Sequence, residues 1–478
     1  MSKPRVSIIS LGCSRNDVDS EELAGRLTAD GWHIADETEA TDVVMVNTCG
    51  FIEQAKKDSI DVLLQAMDGR DAGQSTKVVA VGCMAQRYGK ELHEALPEAD
   101  AILSFDDYSN IGATLREVLA GNAPAAHTPV DRRTLLPITP IDRVNTADAI
   151  PGMGPHVYRT RLTSEPWAPL KIASGCDRRC TFCAIPAFRG SYVSRSPAEI
   201  LAEAQWLSEQ GVKEALLVSE NSTSYGKDLG NLRLLEELLP ALAQQSGLPW
   251  IRVSYLQPAE IRPDLVRIIA QTPGVVPYFD LSFQHSSAQV LRRMKRFGNT
   301  ESFLDLLAVI RALNPSAGTR TNVIVGFPGE TSDDVDELVG FLESAQLDAI
   351  GVFAYSDEEG TAAVKLDDHV SEAEIADRFT HVSAIAQRMC DAVANSRIGS
   401  QVTVLIDGPD NSGRAEHQGP EVDGSTTILA DRELVLGEMV TATVVAADGI
   451  DLIAQLNQSN TVEMDTSQIS GAQVNQVS

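Results

Sequence analysis

The stretch SGCDRRCTFCAIP, residues 174–186, contains three cysteines, Cys176, Cys180 and Cys183, separated by three and then two residues. A structural zinc ion is closed by four ligands, and Asp177 is the only further donor in this loop. A four-iron cluster also usually takes four cysteines, so three cysteines leave one iron free to bind something else. The spacing therefore favours a reactive iron–sulfur cluster over a structural metal site.

The three cysteines come at the end of the first of six apolar, strand-like segments that alternate with amphipathic helical segments. The six segments read PLKIASGC, EALLVSE, WIRVSYL, YFDLSFQ, TRTNVIVGF and LDAIGVFAYS. This alternation predicts a full or partial barrel of parallel β-α units. The active site of such a barrel lies over the carboxyl ends of its strands, which is where the cysteine loop begins.

The first 120 residues repeat a similar unit. The apolar runs RVSIISLGC, DVVMVNTCG and KVVAVGCMA contain Cys13, Cys49 and Cys83 at their ends, and a helix-like segment follows each run. The pattern predicts a doubly wound parallel sheet, in which ligands bind at the carboxyl ends of the strands. We therefore expect the three thiols to converge, the alternative being three small cysteines buried at strand ends.

The segment CDRRCTFC, with Phe182 before its last cysteine, resembles the signature of radical S-adenosylmethionine enzymes. GCSRN, NTCGF and GCMAQ are similar to the amino-terminal domain of the methylthiotransferases, and the likeness covers roughly residues 4–457. The resemblance implies S-adenosyl-L-methionine and two [4Fe-4S] clusters, one on Cys176, Cys180 and Cys183 and one on Cys13, Cys49 and Cys83. It also implies that the chemistry occurs at the clusters rather than at a general acid or base, and that a low-potential donor, flavodoxin or ferredoxin, supplies electrons.

The expected fold class is α/β multidomain. Residues 1–120 are expected to form the amino-terminal domain, 121–167 a linker, 168–397 the radical S-adenosylmethionine core, 398–457 a TRAM domain and 458–478 a disordered tail. The linker is rich in Pro and Thr, and the tail is polar without a pattern. In residues 398–457, short strand-like segments with Gly-rich turns predict four or five strands of a small OB-like barrel, which resembles a TRAM domain.

The charge of the chain bears on its substrate. The net charge is -28, and residues 398–457 contain ten Asp or Glu but only Arg414 and Arg432 as cations. Such a barrel repels a phosphate backbone and favours a cationic protein surface, so we expect no direct RNA binding by this domain. The alternative is ordinary charge that keeps the chain soluble.

Local sequence indicates the same kind of substrate. FDLSFQHSSAQVLRRMKR, which contains His285, resembles the branch of the family that modifies a ribosomal protein, as do TSYG at 223–226 and GRAEHQGPEVDG at 413–424. The resemblance implies β-methylthiolation of an aspartate in small-subunit ribosomal protein twelve. One alternative is methylthiolation of a modified adenosine in tRNA. Another, from a different class, is a non-catalytic iron–sulfur electron carrier or a zinc-binding scaffold.

Further site residues are expected near the barrel mouth. The expected S-adenosylmethionine contacts are Phe182, Ser219, Glu220, Asn322, Gly326 and Phe327. Glu220 and Asn221 stand where the resemblance leads us to expect Gln and Asp. His285 is expected to line the substrate pocket, although an isolated histidine is more often structural. Cys390 falls on an amphipathic helix and is expected to pack in the core.

Composition limits the class of protein. A chain of 478 residues with 43% hydrophobic residues is long enough for two to four domains. Its seven cysteines lack the dense, even pattern of a secreted disulfide scaffold. The first apolar run is too short for a signal peptide, and no stretch approaches the roughly 20 apolar residues of a membrane span. We therefore expect a cytoplasmic protein with no membrane partner.

Overall fold

The computed structural model describes residues 3–36, 39–50, 52–71, 75–132, 159–420 and 422–457. Residues 133–158 of the predicted linker and all of the predicted tail, 458–478, lie outside these ranges. The described residues form an amino-terminal sheet, a central set of parallel strands and a closed carboxyl-terminal barrel.

The amino-terminal sheet has five parallel strands: β1 (Arg5–Ser10), β2 (His33–Ile34), β3 (Thr41–Thr48), β4 (Ser75–Val81) and β5 (Ala101–Ile102). Their spatial order is β2-β1-β3-β4-β5. The helices of this unit are α1 (Ser14–Ala29), α2 (Glu53–Asp71), α3 (Gly82–Ala95) and α4 (Ile111–Leu119). The prediction of a doubly wound parallel sheet is confirmed, and the strand order reverses between β1 and β3.

Strand β4 shows why these runs form buried strands. Val78, Val79, Ala80 and Val81 are all fully buried. Val79 and Val81 belong to one apolar cluster, whereas Val78 and Ala80 belong to another on the opposite face. A parallel sheet covered on both faces requires continuous apolar sequence of this kind.

The central unit contains the six predicted strands: β6 (Trp167–Lys171), β9 (Glu214–Val218), β10 (Trp250–Val253), β11 (Tyr278–Gln284), β12 (Gly318–Val325) and β13 (Ala349–Ala354). A short antiparallel pair, β7 (Ala173–Ser174) and β8 (Val193–Ser194), follows β6. The six strands form two parallel sheets, β6-β9-β10 and β11-β12-β13, connected by a bridge between Leu256 and Leu281. This is an open, partial barrel.

Within the described residues, the central unit has eight helices. They are α5 (Ile185–Arg189), α6 (Pro197–Glu209), α7 (Leu234–Gln245), α8 (Pro263–Gln271), α9 (Ala288–Arg293), α10 (Thr300–Leu313), α11 (Ser332–Ala345) and α12 (Glu372–Ser396). The first of them, α5, packs on α3 of the amino-terminal unit. Ser196, Asn299 and Thr331 each cap the following helix through a side-chain oxygen that accepts a backbone N–H. No helix within the described residues is long and apolar enough to cross a membrane.

The carboxyl-terminal barrel has five strands: β14 (Gln401–Ile406), β15 (Ser412–Ala415), β16 (Thr426–Leu429), β17 (Met439–Asp448) and β18 (Asp451–Leu456). It closes in the order β14-β15-β16-β18-β17. Val404, Ala442 and Ala454 are fully buried in its core. The small closed β-barrel predicted from the sequence is confirmed.

The carboxyl-terminal barrel packs on the amino-terminal ends of the central strands. Glu214, Trp250 and Tyr278 each begin a central strand, and all three face this barrel. Arg414 binds Glu214 at 2.7 Å, and the Tyr278 hydroxyl donates to Asp423. The cysteine loop follows β7 at the other end of the strands, so the two lie on opposite sides of the central unit.

Candidate active site: two facing groups of cysteines

The first group of cysteines lies at the carboxyl edge of the amino-terminal sheet. Cys13 follows β1 and precedes α1, Cys49 follows β3, and Cys83 is the second residue of α3, directly after β4. Because β1, β3 and β4 are adjacent parallel strands, all three cysteines lie at the point where the strand order reverses. Open α/β sheets bind ligands at this position.

Two glycines allow the backbone to approach this group closely. A Cβ at Gly12 would lie 3.0 Å from Cys49 Sγ, and a Cβ at Gly82 would lie 2.1 Å from Asn47 Oδ1. Both glycines have positive φ, 104° and 91°. The turns before Cys13 and Cys83 therefore require glycine for space as well as for conformation.

Two arginines bring positive charge to the first group. Arg189, at the end of α5 in the central unit, donates to Cys83 Sγ at 3.1 Å, while Arg15 Nε donates to Cys13 Sγ at 3.5 Å. Burial opposes ionisation of Cys13, but Arg15 and Arg189 together hold the pKa of this thiol below its usual value. Burial dominates at Cys83 and raises its pKa to about 11.

The second group, Cys176, Cys180 and Cys183, lies in the loop between β7 and α5. The loop is held by backbone bonds, including Cys176 N–H to the Gly190 carbonyl at 3.1 Å and Cys183 N–H to the Cys180 carbonyl at 3.2 Å. Burial raises the pKa of Cys176 and of Cys183 to about 12. Their thiolates therefore require compensation by a metal or by nearby cations.

Glu220 lies between the two groups. Its side chain is only 2% exposed and has Arg15 Nη1 at 3.8 Å and Arg189 Nε at 3.7 Å. Its charge also acts on Cys176, where it contributes to the raised pKa. Neither carboxylate oxygen has a hydrogen-bond partner within the described structure, so Glu220 retains acceptor capacity in the space between the groups.

A buried ion network joins the two units beside these cysteines. Lys171 of β6 binds Asp19 of α1, and both side chains are 1% exposed. Arg189 binds the other oxygen of Asp19 at 3.0 Å and also donates to Asn16 Oδ1 at 2.9 Å. The network fixes α1, which follows Cys13, against the unit that contains the second group.

All seven cysteines are free of disulfide bonds. Within the described residues, no three His, Cys, Asp or Glu side chains are placed to hold one metal ion. The ligands of a single ion must meet at one point, whereas the thiolates of a four-iron cluster bind different irons and need not do so. The thiol groups, the charged arginines beside them and the glycine turns fit iron–sulfur clusters better than mononuclear metal.

A cavity of about 530 Å³ opens beside the second group, a size typical of small-molecule sites. Cys176, Tyr192 and Asn221 are among its lining residues, and the rim includes Phe297, which is 70% exposed. The cavity therefore reaches a predicted cluster ligand from the protein surface.

The other predicted site residues lie at varied depths. Ser219 and Glu220 follow β9 directly, beside the thiol groups. Phe182 is partly buried against the central core, and Phe327 is fully buried and packs edge-to-face on Tyr355. Asn322 lies on β12, where its Oδ1 accepts from Arg320 at 3.4 Å.

His285 and Gly326 meet in the core rather than at the cavity. His285 is fully buried, with Nε2 3.4 Å from Glu330 Oε2 and Nδ1 accepting from the Ser287 N–H. Gly326 N–H donates to Glu330 Oε1 at 2.9 Å. None of these residues lines the 530 Å³ cavity, so His285 differs from its expected position at the barrel mouth.

Three further features of the site were not predicted from the sequence: Arg15, Arg189 and the Asp19–Lys171 pair. Arg189 reaches Cys83 across 106 residues of chain, and such a pairing has no local signal. Lys171 did have a local signal, because a lysine in the apolar strand PLKIASGC requires a buried partner of opposite charge.

Three family models match the chain. One described as "Uncharacterized protein family UPF0004" matches residues 5–104, the Radical SAM superfamily matches 170–342, and a TRAM domain matches 398–456. Membership of the radical S-adenosylmethionine superfamily implies S-adenosylmethionine, one [4Fe-4S] cluster and a reductant.

Curated relatives match nearly the whole chain. Proteins named ribosomal protein uS12 methylthiotransferase are 56% identical over 469 residues in Kineococcus radiotolerans and 57% identical over 464 residues in a Nocardioides species. Each match covers 94% of this chain and 96% of the relative. The chain belongs to the uS12 methylthiotransferase family. The resemblance found in the sequence is thus confirmed, as is the assignment to the radical S-adenosylmethionine methylthiotransferases.

A solved structure shares the fold of this uS12 methylthiotransferase family member. The radical S-adenosylmethionine methyltransferase TsrM from Kitasatospora setae, with cobalamin and a [4Fe-4S] cluster bound, aligns with a TM-score of 0.53 at 14% identity. The alignment covers 74% of this chain and 75% of TsrM. At this identity the likeness supports the α/β multidomain fold alone.

Proposed function

We propose that this protein methylthiolates the β-carbon of an aspartate in ribosomal protein uS12. The observation that carries the proposal is the placement of two three-cysteine groups on either side of Arg15, Arg189 and Glu220, in a member of the uS12 methylthiotransferase family. Two groups are needed because hydrogen removal from carbon and delivery of sulfur are separate tasks.

In this proposal, Cys176, Cys180 and Cys183 hold the cluster that binds S-adenosylmethionine, and Cys13, Cys49 and Cys83 hold a second [4Fe-4S] cluster. When bound, these groups supply the radical that removes a β-hydrogen and the methylthio group that replaces it. The protein's own task is to hold the target carbon within reach of these groups and to exclude water.

Arg15 and Arg189 offset the negative charge of the thiolates in the first group. Asp19 and Asn16 fix the Arg189 guanidinium, so it stays directed at Cys83. Arg15 stacks over the Tyr255 ring, 4.8 Å from its centroid, and also donates to the Ser219 carbonyl. We assign Ser219 and Glu220 as cofactor contacts, because both lie between the two groups and Glu220 has free acceptor capacity.

The charge of the carboxyl-terminal barrel supports a protein substrate. The two cations of residues 398–457 are engaged, Arg414 with Glu214 and Asp407 and Arg432 with Glu438. The barrel therefore offers an acidic surface and no free arginine for a phosphate backbone. We further propose flavodoxin or ferredoxin as the reductant and the cytoplasm as the site of action.

The test uses the full chain, reconstituted anaerobically with iron and sulfide, then given reductant, S-adenosylmethionine and uS12. Mass spectrometry of uS12 and of a parallel tRNA digest should show one methylthio group on the uS12 aspartate only. Two clusters predict about eight irons per chain, and Cys83→Ala or Cys183→Ala should each lower this to about four and abolish product.

Cys390→Ala is the matched control. Cys390 is 4% exposed on α12, outside both groups, so its loss should leave iron content and product unchanged. Product on tRNA adenosine would overturn the substrate, about four irons in the unmutated chain would overturn the second cluster, and no transfer to either substrate would overturn the activity.

A further inference from the structure

The cavity beside Cys176 is basic although the chain is strongly acidic. Six cations and three carboxylates line it, in a protein with a net charge of -28. Two of these cations are already engaged, Arg178 with Glu260 and Arg296 with the Ser282 carbonyl.

The remaining cations of the cavity are Arg179, Lys227, Arg292 and Lys295. All four are exposed, and among the described residues none has a carboxylate within ion-pair distance. Arg292 Nε donates only to the Ala288 carbonyl, which carries no formal charge. Elsewhere in the structure, many arginines and lysines pair with Asp or Glu, including Arg233, Arg262 and Arg397. The cavity rim therefore presents positive charge that the protein itself does not neutralise.

Lys295 is also held in an unusual backbone conformation. Its φ is 55°, in the left-handed region, where it terminates the turn after α9 with its N–H bonded to the Arg292 carbonyl at 3.0 Å. Glycine is the unstrained residue at such a helix end. A lysine that keeps this conformation at a cavity rim suggests that its side chain has a use there.

We propose that Lys295 binds the side-chain carboxylate of the target aspartate and so selects aspartate as the residue to be modified. This inference rests on the proposed function, because it takes an aspartate as the substrate. The carboxylate carbon is bonded directly to the β-carbon. A cation that fixes the carboxylate therefore also fixes the position of the reacting carbon. An asparagine lacks the charge, and a glutamate places its carboxylate one methylene further away.

The shape of the site favours a peptide over RNA. The free cations surround the mouth of a concave cavity, and Asp177, Asp228 and Glu260 lie among them. A phosphate backbone requires an extended row of cations and is repelled by such carboxylates. A single acidic side chain needs only one cation, and the rest of an extended peptide carries no backbone charge for these carboxylates to repel. The exposed Phe297 ring offers an apolar contact beside it.

The experiment measures binding apart from turnover. Two fluorescein-labelled uS12 peptides that contain the target position, one with the aspartate and one with asparagine in its place, are titrated with the reconstituted protein without S-adenosylmethionine or reductant. Fluorescence anisotropy should show the aspartate peptide binding roughly tenfold more tightly, as expected for a charge-assisted hydrogen bond. In Lys295→Gly the two peptides should bind equally.

Lys295→Gly removes the side chain while relieving the left-handed strain, so a loss of selectivity cannot be attributed to unfolding. Arg388→Gln is the matched control, because Arg388 is an exposed cation on α12 outside the cavity and should keep the tenfold difference. Unchanged selectivity in Lys295→Gly would overturn the inference. The inference would also be overturned if a labelled RNA oligonucleotide bound in a Lys295-dependent way while the two peptides bound equally to the unmutated protein.

Failure of the proposed function has a different signature. If the unmutated protein discriminates between the peptides through Lys295 but transfers no methylthio group, the carboxylate site stands and the reaction assigned to it is wrong. If Lys295→Gly transfers the methylthio group as well as the unmutated protein and still prefers the aspartate peptide, the reaction stands and the role of Lys295 is wrong.

Discussion

Among single residues, Glu214 is central to the attachment of the carboxyl-terminal barrel. It is fully buried between Arg252 and Arg414, with Arg414 Nη2 at 2.7 Å. Burial raises the pKa of Glu214, but the two arginines outweigh it and hold the pKa below the usual 4.5. Because the folded pKa is depressed, the stabilisation is complete above pH 4.5 and is lost as the pH falls below that value.

Glu214→Gln should therefore destabilise the protein by about 3 kcal/mol at neutral pH, since it leaves the buried Arg252 guanidinium without a counter-charge and leaves Arg414 with Asp407 alone. It should also remove the part of the acid-induced loss of stability that comes from protonation of Glu214. Urea unfolding followed by tryptophan fluorescence is a suitable measurement, because Trp167 and Trp250 lie beside Arg414 and Arg252. Glu438→Gln, in the exposed pair with Arg432, is the control and should cost less than about 1 kcal/mol. Equal effects of the two substitutions would contradict this account.

At the residue level, the sequence carries a signal where spacing reflects the local fold and carries none where partners are distant. The six cysteines were proposed as cluster ligands because of their spacing within a loop or after successive strands. Arg15 and Arg189 were not predicted, because their roles depend on contacts between units. His285 was expected at the barrel mouth because it follows β11, yet it turns inward to Glu330 and is fully buried.

Among secondary-structure elements, the turn from β4 into α3 sets the position of Cys83. A Cβ at Gly82 would lie 2.1 Å from Asn47 Oδ1, and Asn47 is held by hydrogen bonds to the Asn16 carbonyl at 2.9 Å and to Ser20 Oγ at 2.8 Å. Because these hydrogen bonds hold the Asn47 side chain in place, Gly82→Ala should displace the start of α3. We expect iron content to fall from about eight to about four per chain while the cluster at Cys176 is kept.

Gly121→Ala is a control that separates the effect of the steric clash at Gly82 from the effect of a side chain at a positive φ. Gly121 has a φ of 83°, close to that of Gly82, but an added Cβ would meet nothing within 4 Å. It should cost about 1 kcal/mol in stability and leave the iron content unchanged. If Gly82→Ala also retains about eight irons, the tight turn is not what positions Cys83.

Long elements were predictable because burial on both faces produces continuous apolar sequence, as in β3 and β4. The strands β2, β5 and β7 have two residues each, and a run so short has no periodicity to detect. The division of the central strands into two sheets joined at Leu256 and Leu281 is also invisible locally. It depends on how residues far apart in the chain pack.

Across the whole molecule, charge is separated between two ends. The cavity with its free cations opens near the carboxyl ends of the central strands, whereas the acidic carboxyl-terminal barrel covers their amino-terminal ends. A short peptide that carries the target aspartate can reach only the cavity. An intact cationic protein can also contact the acidic surface, which includes the exposed Asp431 and Glu433.

This separation predicts that salt affects the two kinds of substrate differently. Raising KCl from about 50 to about 300 mM shortens the screening length to below 10 Å, and the KM for intact uS12 should rise several-fold with little change in kcat. Asp431→Asn combined with Glu433→Gln should flatten that dependence without altering the KM for the short peptide. Asp305→Asn, an exposed carboxylate on α10, should leave the dependence as it was. A double variant with the unmutated salt dependence would mean that the acidic barrel does not contact uS12, and that recognition is confined to the cavity end of the molecule.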